Sequence, residues 1–233
     1  MGTRLQMQIS YTWSHTIDST SNFGGMGGGG GFGSIPTGQR ADADYDIRQN
    51  FTWAGSSQLP GVKNRIGGAL LRNWFLDFNF FARTGLPFDV QGVSNCTSDA
   101  GTSNTCPTTN NTGLFALVRP SLTGAAIWIS DSSAPGGRRL NPAAFALPSG
   151  YQQGSLGRNT LRGFGANQLD LSFRRVVPSS ERVRLNVAIQ AFNVFNHPNF
   201  ANPSQQEGGS MASPEFGLIT RMLNAGFGGA SAL

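Results

Sequence analysis

Chemistry in this chain would have to start from two histidines, two cysteines and a handful of aspartates. His15 has Ser14 beside it and Asp18 three residues on, the residue types of a hydrolytic triad. No G-x-S-x-G elbow accompanies them, and that turn is what presents the serine of many hydrolases. His15 and His197 are the only histidines, and neither has a second ligand at metal spacing. Zinc takes three or four converging ligands, so no metal site is expected. Asp18, Asp42, Asp44 and Asp46 border a loop without the spacing of a calcium-binding EF-hand, and a solvated loop base is the expectation. The glycines from Gly24 to Gly33 lack the Lys and Ser/Thr of a phosphate-binding loop and read as a surface loop. No catalytic residue and no cofactor are expected, and the chain does not read as an enzyme. Cys96 and Cys106 stand nine residues apart in a polar stretch of Thr, Ser and Asn. In an exported loop they read as a disulfide, and in a cytosolic chain as two free thiols.

The composition says where the surface lies. Among 233 residues there are 32 Gly and 17 Phe, and only 12% are charged. A soluble surface carries about twice that charge. No apolar run reaches the roughly 18 residues of a membrane helix, but a membrane strand needs only about 9 to 11. The net charge of +5 is carried almost entirely by arginine, concentrated at Arg138, Arg139, Arg158, Arg162, Arg174, Arg175, Arg182 and Arg184. These show neither helix spacing nor interleaved base-stacking aromatics, so nucleic acid is not an expected partner. Arginine near a membrane boundary would meet anionic head groups. Met1 leads almost at once into a strand, so a membrane reading expects the export signal upstream.

The elements that must position these residues are strands. "RLQMQISYTWSHT" sets Leu5, Met7, Ile9, Tyr11 and Trp13 against Gln6, Gln8, Ser10 and Thr12, the period of two of a half-buried strand. Further strands are expected over 46–57, with Ile47, Phe51 and Trp53 in phase, and over 70–84, with Leu76, Phe78 and Phe80 on one face. In the latter, Phe75 and Phe81 interrupt the polar face. A fourth over 166–176 alternates Leu169, Leu171 and Phe173 with Gln168, Asp170 and Ser172. A fifth over 182–195 sets Val183, Leu185, Val187 and Ile189 against Asn186 and Gln190. With the first strand at 3–16, the connections 17–45, 92–164 and 197–215 are long and the other two short.

Adjacent antiparallel strands would put every long connection at one end and every short one at the other, the asymmetry of outer-membrane barrels. Tyr11, Trp13, Trp53 and Trp74 lie towards the expected strand ends, where an aromatic girdle would sit. The apolar row is therefore expected to face lipid. The rival reading is a secreted soluble β-sandwich, such as a carbohydrate-binding module, in which the same row would pack on a second sheet.

The chain resembles the C-terminal barrel region of TonB-dependent outer-membrane receptors, in particular the Oar-like kind of acidobacteria. The resemblance rests on "YTWSHTID" (11–18), "DYDIRQNFTW" (44–53), "RTGLPFDV" (83–90), "LNPAAFALP" (140–148), "GSLGRNTLRG" (154–163), "LDLSFRRV" (169–176), "ERVRLNVAIQAFNVFNHPNFANP" (181–203) and "FGLIT" (216–220). The "AFNVFNHPNF" run is the most specific. The resemblance implies an all-β, antiparallel up-and-down meander belonging to a barrel of about 22 strands in the outer membrane. It also implies outer-membrane lipid as partner and nutrient uptake coupled to TonB through an upstream plug. The transported ligand is not readable. Residues 1–233 are expected to form part of such a barrel, without plug, TonB box or last strand.

Overall fold

The computed structural model describes residues 5–19, 40–60, 73–94, 116–148, 154–178, 184–203 and 208–223. Cys96, Cys106 and Val183 lie outside them. The described chain is all-β apart from the 3-10 turns Pro135–Gly137 and Pro142–Ala144. It divides into two compact units.

The first unit is a single antiparallel sheet of five long strands: β1 (Leu5–Trp13), β2 (Gln49–Gln58), β3 (Trp74–Arg83), β4 (Ala166–Pro178) and β5 (Arg184–Ala191). They pair in chain order, leaving β1 and β5 as the edges. Their lengths of 9, 10, 10, 13 and 8 residues straddle the roughly 9 to 11 that a tilted strand needs to cross a bilayer.

Among the described limits, the ladders stop short of those expected at 16, 46, 84 and 195 and run past those at 57 and 176, and β5 shows what ends a strand early. Its expected limit lies past Ala191, at 195, but Asn193 and Asn196 adopt φ of 49° and 48°. Asparagine tolerates this left-handed region better than most residues, and an extended strand cannot pass through it. The Asn193 N–H donates to the Asp170 carboxylate (2.8 Å) and the Val194 N–H to the Leu169 carbonyl (2.8 Å). The Asn193 amide also donates to the His197 carbonyl (3.0 Å). The "AFNVFNHPNF" run is thus the end of β5 and the turn that ties it to β4.

The second unit gathers the long connections: Ser14–Ile47, Gly85–Phe164 and Asn199–Leu233. The sequence reading expected irregular loops. The described residues instead form short antiparallel pairs: Ile17–Asp18 with Ala41–Asp42, Pro87–Phe88 with Leu161–Arg162, Gly92–Ser94 with Ala116–Val118, Ser121–Leu122 with Phe145–Ala146, and Trp128–Ser130 with Arg138–Leu140. Between them lies an apolar core of Phe88, Val90, Leu140, Ala144, Phe145, Leu156, Leu161 and Phe216. The Phe145 and Phe216 rings meet edge to face at 5.7 Å. "LNPAAFALP" is legible here: Leu140 is fully buried, the Asn141 side chain caps the turn by accepting from the Ala143 N–H (3.1 Å), and Pro142 occupies the first helical position. Gly217, at φ +86°, lets the chain pass against Leu140.

Candidate functional site

The register assigns every strand residue to a face, because directly paired residues point the same way. Leu5, Met7, Ile9, Tyr11 and Trp13 share their face with Phe51, Trp53 and Gly55 of β2 and with Leu76, Phe78 and Phe80 of β3. The same face continues through Leu169, Leu171 and Phe173 of β4 to Leu185, Val187 and Ile189 of β5. All the lipid-facing candidates among the described residues therefore fall on one side. The β1 row is open along its length, from 50% exposed at Leu5 to 70% at Trp13.

Aromatic residues mark both ends of this face, with one exception. Tyr11 and Trp13 end β1, and Trp74 begins β3 at the short-connection end, with the Arg175 guanidinium 5.9 Å from its ring. Trp53 corrects the expectation of a girdle position: it lies mid-strand opposite Ile9 and Phe80. Its ring meets Phe78 edge-on at 4.8 Å. Gly55 makes room, since a Cβ there would stand 2.7 Å from the Phe78 ring.

The opposite face carries Gln6, Gln8, Ser10, Thr12, Asn50, Thr52, Ser56, Asp77, Asn79, Gln168, Asp170, Ser172, Arg174, Asn186 and Gln190. Arg174 donates to Asp77 (2.6 Å) and to Ser56 (3.3 Å) and stacks over Phe75 at 4.4 Å. Phe75, which interrupted the polar pattern in sequence, here supports the guanidinium of a cross-strand ion pair.

The second polar constellation joins two long connections. Arg162 bonds the Asp42 carboxylate (2.5 Å), the Asp46 carboxylate and the carbonyls of Asp46 (3.1 Å) and Gly85 (3.2 Å). Asp46 is fully buried and also accepts from the Thr16 N–H (2.6 Å). Arg158, its side chain 7% exposed, bonds the Asp18 carboxylate and carbonyl. Asn159 donates its amide to Asp44 (2.5 Å) and its backbone N–H to Asp89 (2.6 Å). Burial pushes the Asp89 carboxyl above its ordinary range, against the pull of the Asn159 N–H, Arg119 and Arg158. Burial likewise lowers Arg119, which Asp89 partly restores.

This corrects the expectation of a solvated aspartate border: these carboxylates are partners of the buried Arg158 and the half-buried Arg162. It also supplies His15 with the neighbours that the sequence lacked, the Asp42 carboxylate at 2.8 Å and Asp46 nearby. Arg162 stands on both carboxylates, so the cationic position among them is filled by a side chain. The network was missed because the bonds that Arg158, Asn159 and Arg162 make to Asp18, Asp42, Asp44 and Asp46 join residues 115 to 140 positions apart. The only sequence signal was that "YTWSHTID", "DYDIRQNFTW", "RTGLPFDV" and "GSLGRNTLRG" each carry at least one charged or amide member of it.

A one-layer antiparallel meander, with an exposed, mainly apolar face, polar residues on the other face and long connections at one end, is the architecture of an outer-membrane β-barrel. The chain belongs to the family described as outer membrane beta barrel domain, whose model matches residues 1–227. It is accordingly a protein of the outer membrane. No curated protein and no solved structure matches it. The soluble-sandwich reading falls with this result: a sandwich would bury the β1 row against a second sheet.

Proposed function

We propose that this chain forms part of the barrel wall of a TonB-dependent receptor of the Oar-like kind, and that the barrel takes up a scarce or bulky nutrient. Its role is binding and passage rather than catalysis. The observation that supports this most is the joining of three long connections into one body with its own core and ion pairs. A general diffusion pore needs no such construction, whereas recognition gains from connections ordered before the ligand arrives. The motifs shared with those receptors fall on the parts that build this body and on the strands. TonB would act through a plug supplied by other residues.

The test is uptake by cells carrying the intact gene, using labelled ferric siderophores, cobalamin and oligosaccharides as probes. The proposal expects uptake of at least one probe to be lost both on deleting the gene and on collapsing the proton-motive force. Uptake that needs the gene but survives the uncoupler would make the barrel a passive pore.

A further inference from the structure

The connection body holds one arginine in a setting unlike that of the ion pairs. Arg138 follows two left-handed glycines, Gly136 and Gly137 at φ of 76° and 72°, and its guanidinium lies 4.5 Å from the centre of the Trp128 ring and 4.3 Å from that of Phe164. The two rings stand nearly perpendicular, at 84°, with their centres 6.0 Å apart, so the cation sits in a corner that attracts it from two sides. Each wall is itself backed. Trp128 meets the buried Phe88 at 6.1 Å, and Phe164 meets the buried Phe200 at 5.4 Å. Gly136 lets the turn press on this wall, since a Cβ there would stand 2.4 Å from the Phe164 ring.

The rings attract the cation but offer its N–H groups no acceptor oxygen. Arg139, Arg158, Arg162 and Arg174 each bond a carboxylate or carbonyl oxygen. Among the described residues Arg138 makes no hydrogen bond and no ion pair, and of its nitrogens only Nε is buried. The carboxylate of its own hairpin, Asp131, accepts instead from the Ser133 N–H (3.0 Å) and hydroxyl (2.5 Å) and stands 3.9 Å from Arg139. We propose that the two terminal nitrogens of Arg138 bind an oxyanion, a carboxylate or phosphate group of the nutrient, through two parallel N–H donors. The aromatic corner fixes the guanidinium before the ligand arrives, so less side-chain freedom is lost on binding. This rests on the receptor reading of the barrel and gives its ligand a charge.

The test is calorimetric titration of the purified intact barrel, in phosphatidylcholine discs at fixed ionic strength, with citrate, inorganic phosphate and, as the neutral control, trimethyl citrate. The parent should bind the first two and not the third. Arg138→Gln should weaken binding by about tenfold or more, the loss of at least one charge-assisted hydrogen bond. Arg138→Lys keeps a charge between the rings but not the fork, and it should also bind more weakly than the parent. Limited proteolysis of 116–148 checks the fold, and if Arg138→Gln fails that check, the lysine variant decides. Equal binding of citrate and its ester by the parent would overturn the proposal, as would a folded Arg138→Gln or Arg138→Lys that binds citrate like the parent. The phosphates of lipopolysaccharide carry the same chemistry, so the discs are also made with it. Loss of the citrate response there alone would make the membrane the source of the oxyanion and overturn its assignment to the nutrient. The uptake assay separates the two ideas: energised uptake without oxyanion binding removes this inference alone, whereas binding through Arg138 with uptake that survives the uncoupler removes the receptor reading.

Discussion

The sheet and the body built by its connections use the same residue types in opposite ways. In the connection body Leu140 and Val90 are fully buried and Phe145 and Phe216 nearly so, as in any soluble core. In the sheet, Ile9, Trp13 and Ile189 are 63, 70 and 67% exposed. Burial stabilises the first at roughly 25 cal/mol per Å² of apolar surface removed from water. The sheet obtains the equivalent only when lipid replaces water on its outer face. Its own cohesion comes from backbone ladders, which a membrane strengthens because no water competes for them. One region buries its large apolar side chains within itself, and the other leaves them exposed on one face of a single sheet.

That contrast can be broken most forcefully in the connection body. Leu140→Ala should cost about 3 to 5 kcal/mol, as a fully buried leucine leaves a cavity. Ile189→Ala on the sheet should cost under about 1 kcal/mol, because lipid refills the space with groups as apolar as those removed. Urea unfolding of the barrel in lipid, followed separately by limited proteolysis of the connections, would measure both. Equal costs would mean that the sheet too has a packed core.

Asp46→Ala should follow at about 3 kcal/mol, since it leaves Arg162 and the Thr16 N–H short of a buried acceptor. Asp77→Ala, on the sheet's polar face, removes a pair whose side chains are 28 and 40% exposed. Its cost should stay near or below about 1 kcal/mol. The readout is proteolysis within 14–47, accelerated by the first change and not by the second.

Charge on the sheet should discriminate its faces. Ile9→Arg should cost about 2 to 4 kcal/mol, whereas Gln8→Arg, one residue away, should be close to neutral. Ile9 is a better probe than Val187, which lies directly opposite Arg175. Ile9 has Trp53, Phe80 and Leu169 in line across the sheet. Stability of the assembled barrel against heat in detergent would rank the two.

The smallest effect concerns pH. Asp89 holds its proton more tightly in the folded state, so its contribution to stability is full below the ordinary carboxylate value of 3.8 and is lost as pH rises through the raised folded value. Asp89→Asn keeps an acceptor for the Asn159 N–H and abolishes that loss. Its stability relative to the parent should therefore increase from pH 4 to pH 7. A difference constant over that range would place the cost elsewhere.

Much of the sheet was legible because a strand's period is local. Alternation from Leu5 to Trp13 or Leu169 to Phe173 assigns faces without knowing a neighbour, and the register only aligns them. Strand ends were less legible, since the stop at Ala191 depends on the backbone conformation of Asn193 and Asn196 rather than on hydrophobicity. The connection body was almost invisible. Phe88, Leu140, Leu161 and Phe216 come from four separate stretches without periodicity, and Asp46 and Arg162 have nothing in sequence that pairs them. Segments that look loop-like, rich in Gly, Pro and Asn, can still build a core when their turns bring a few large side chains together.

The central claim, that one face of the sheet meets lipid, is tested most directly along β1. Single cysteines at residues 7, 8, 9, 10 and 11, in the Cys96→Ser, Cys106→Ser background of the intact barrel, would carry a fluorophore in vesicles containing nitroxide-labelled lipid. Quenching should be strong at 7, 9 and 11 and weak at 8 and 10. Uniform quenching, or strong quenching at 8 and 10, would contradict the account.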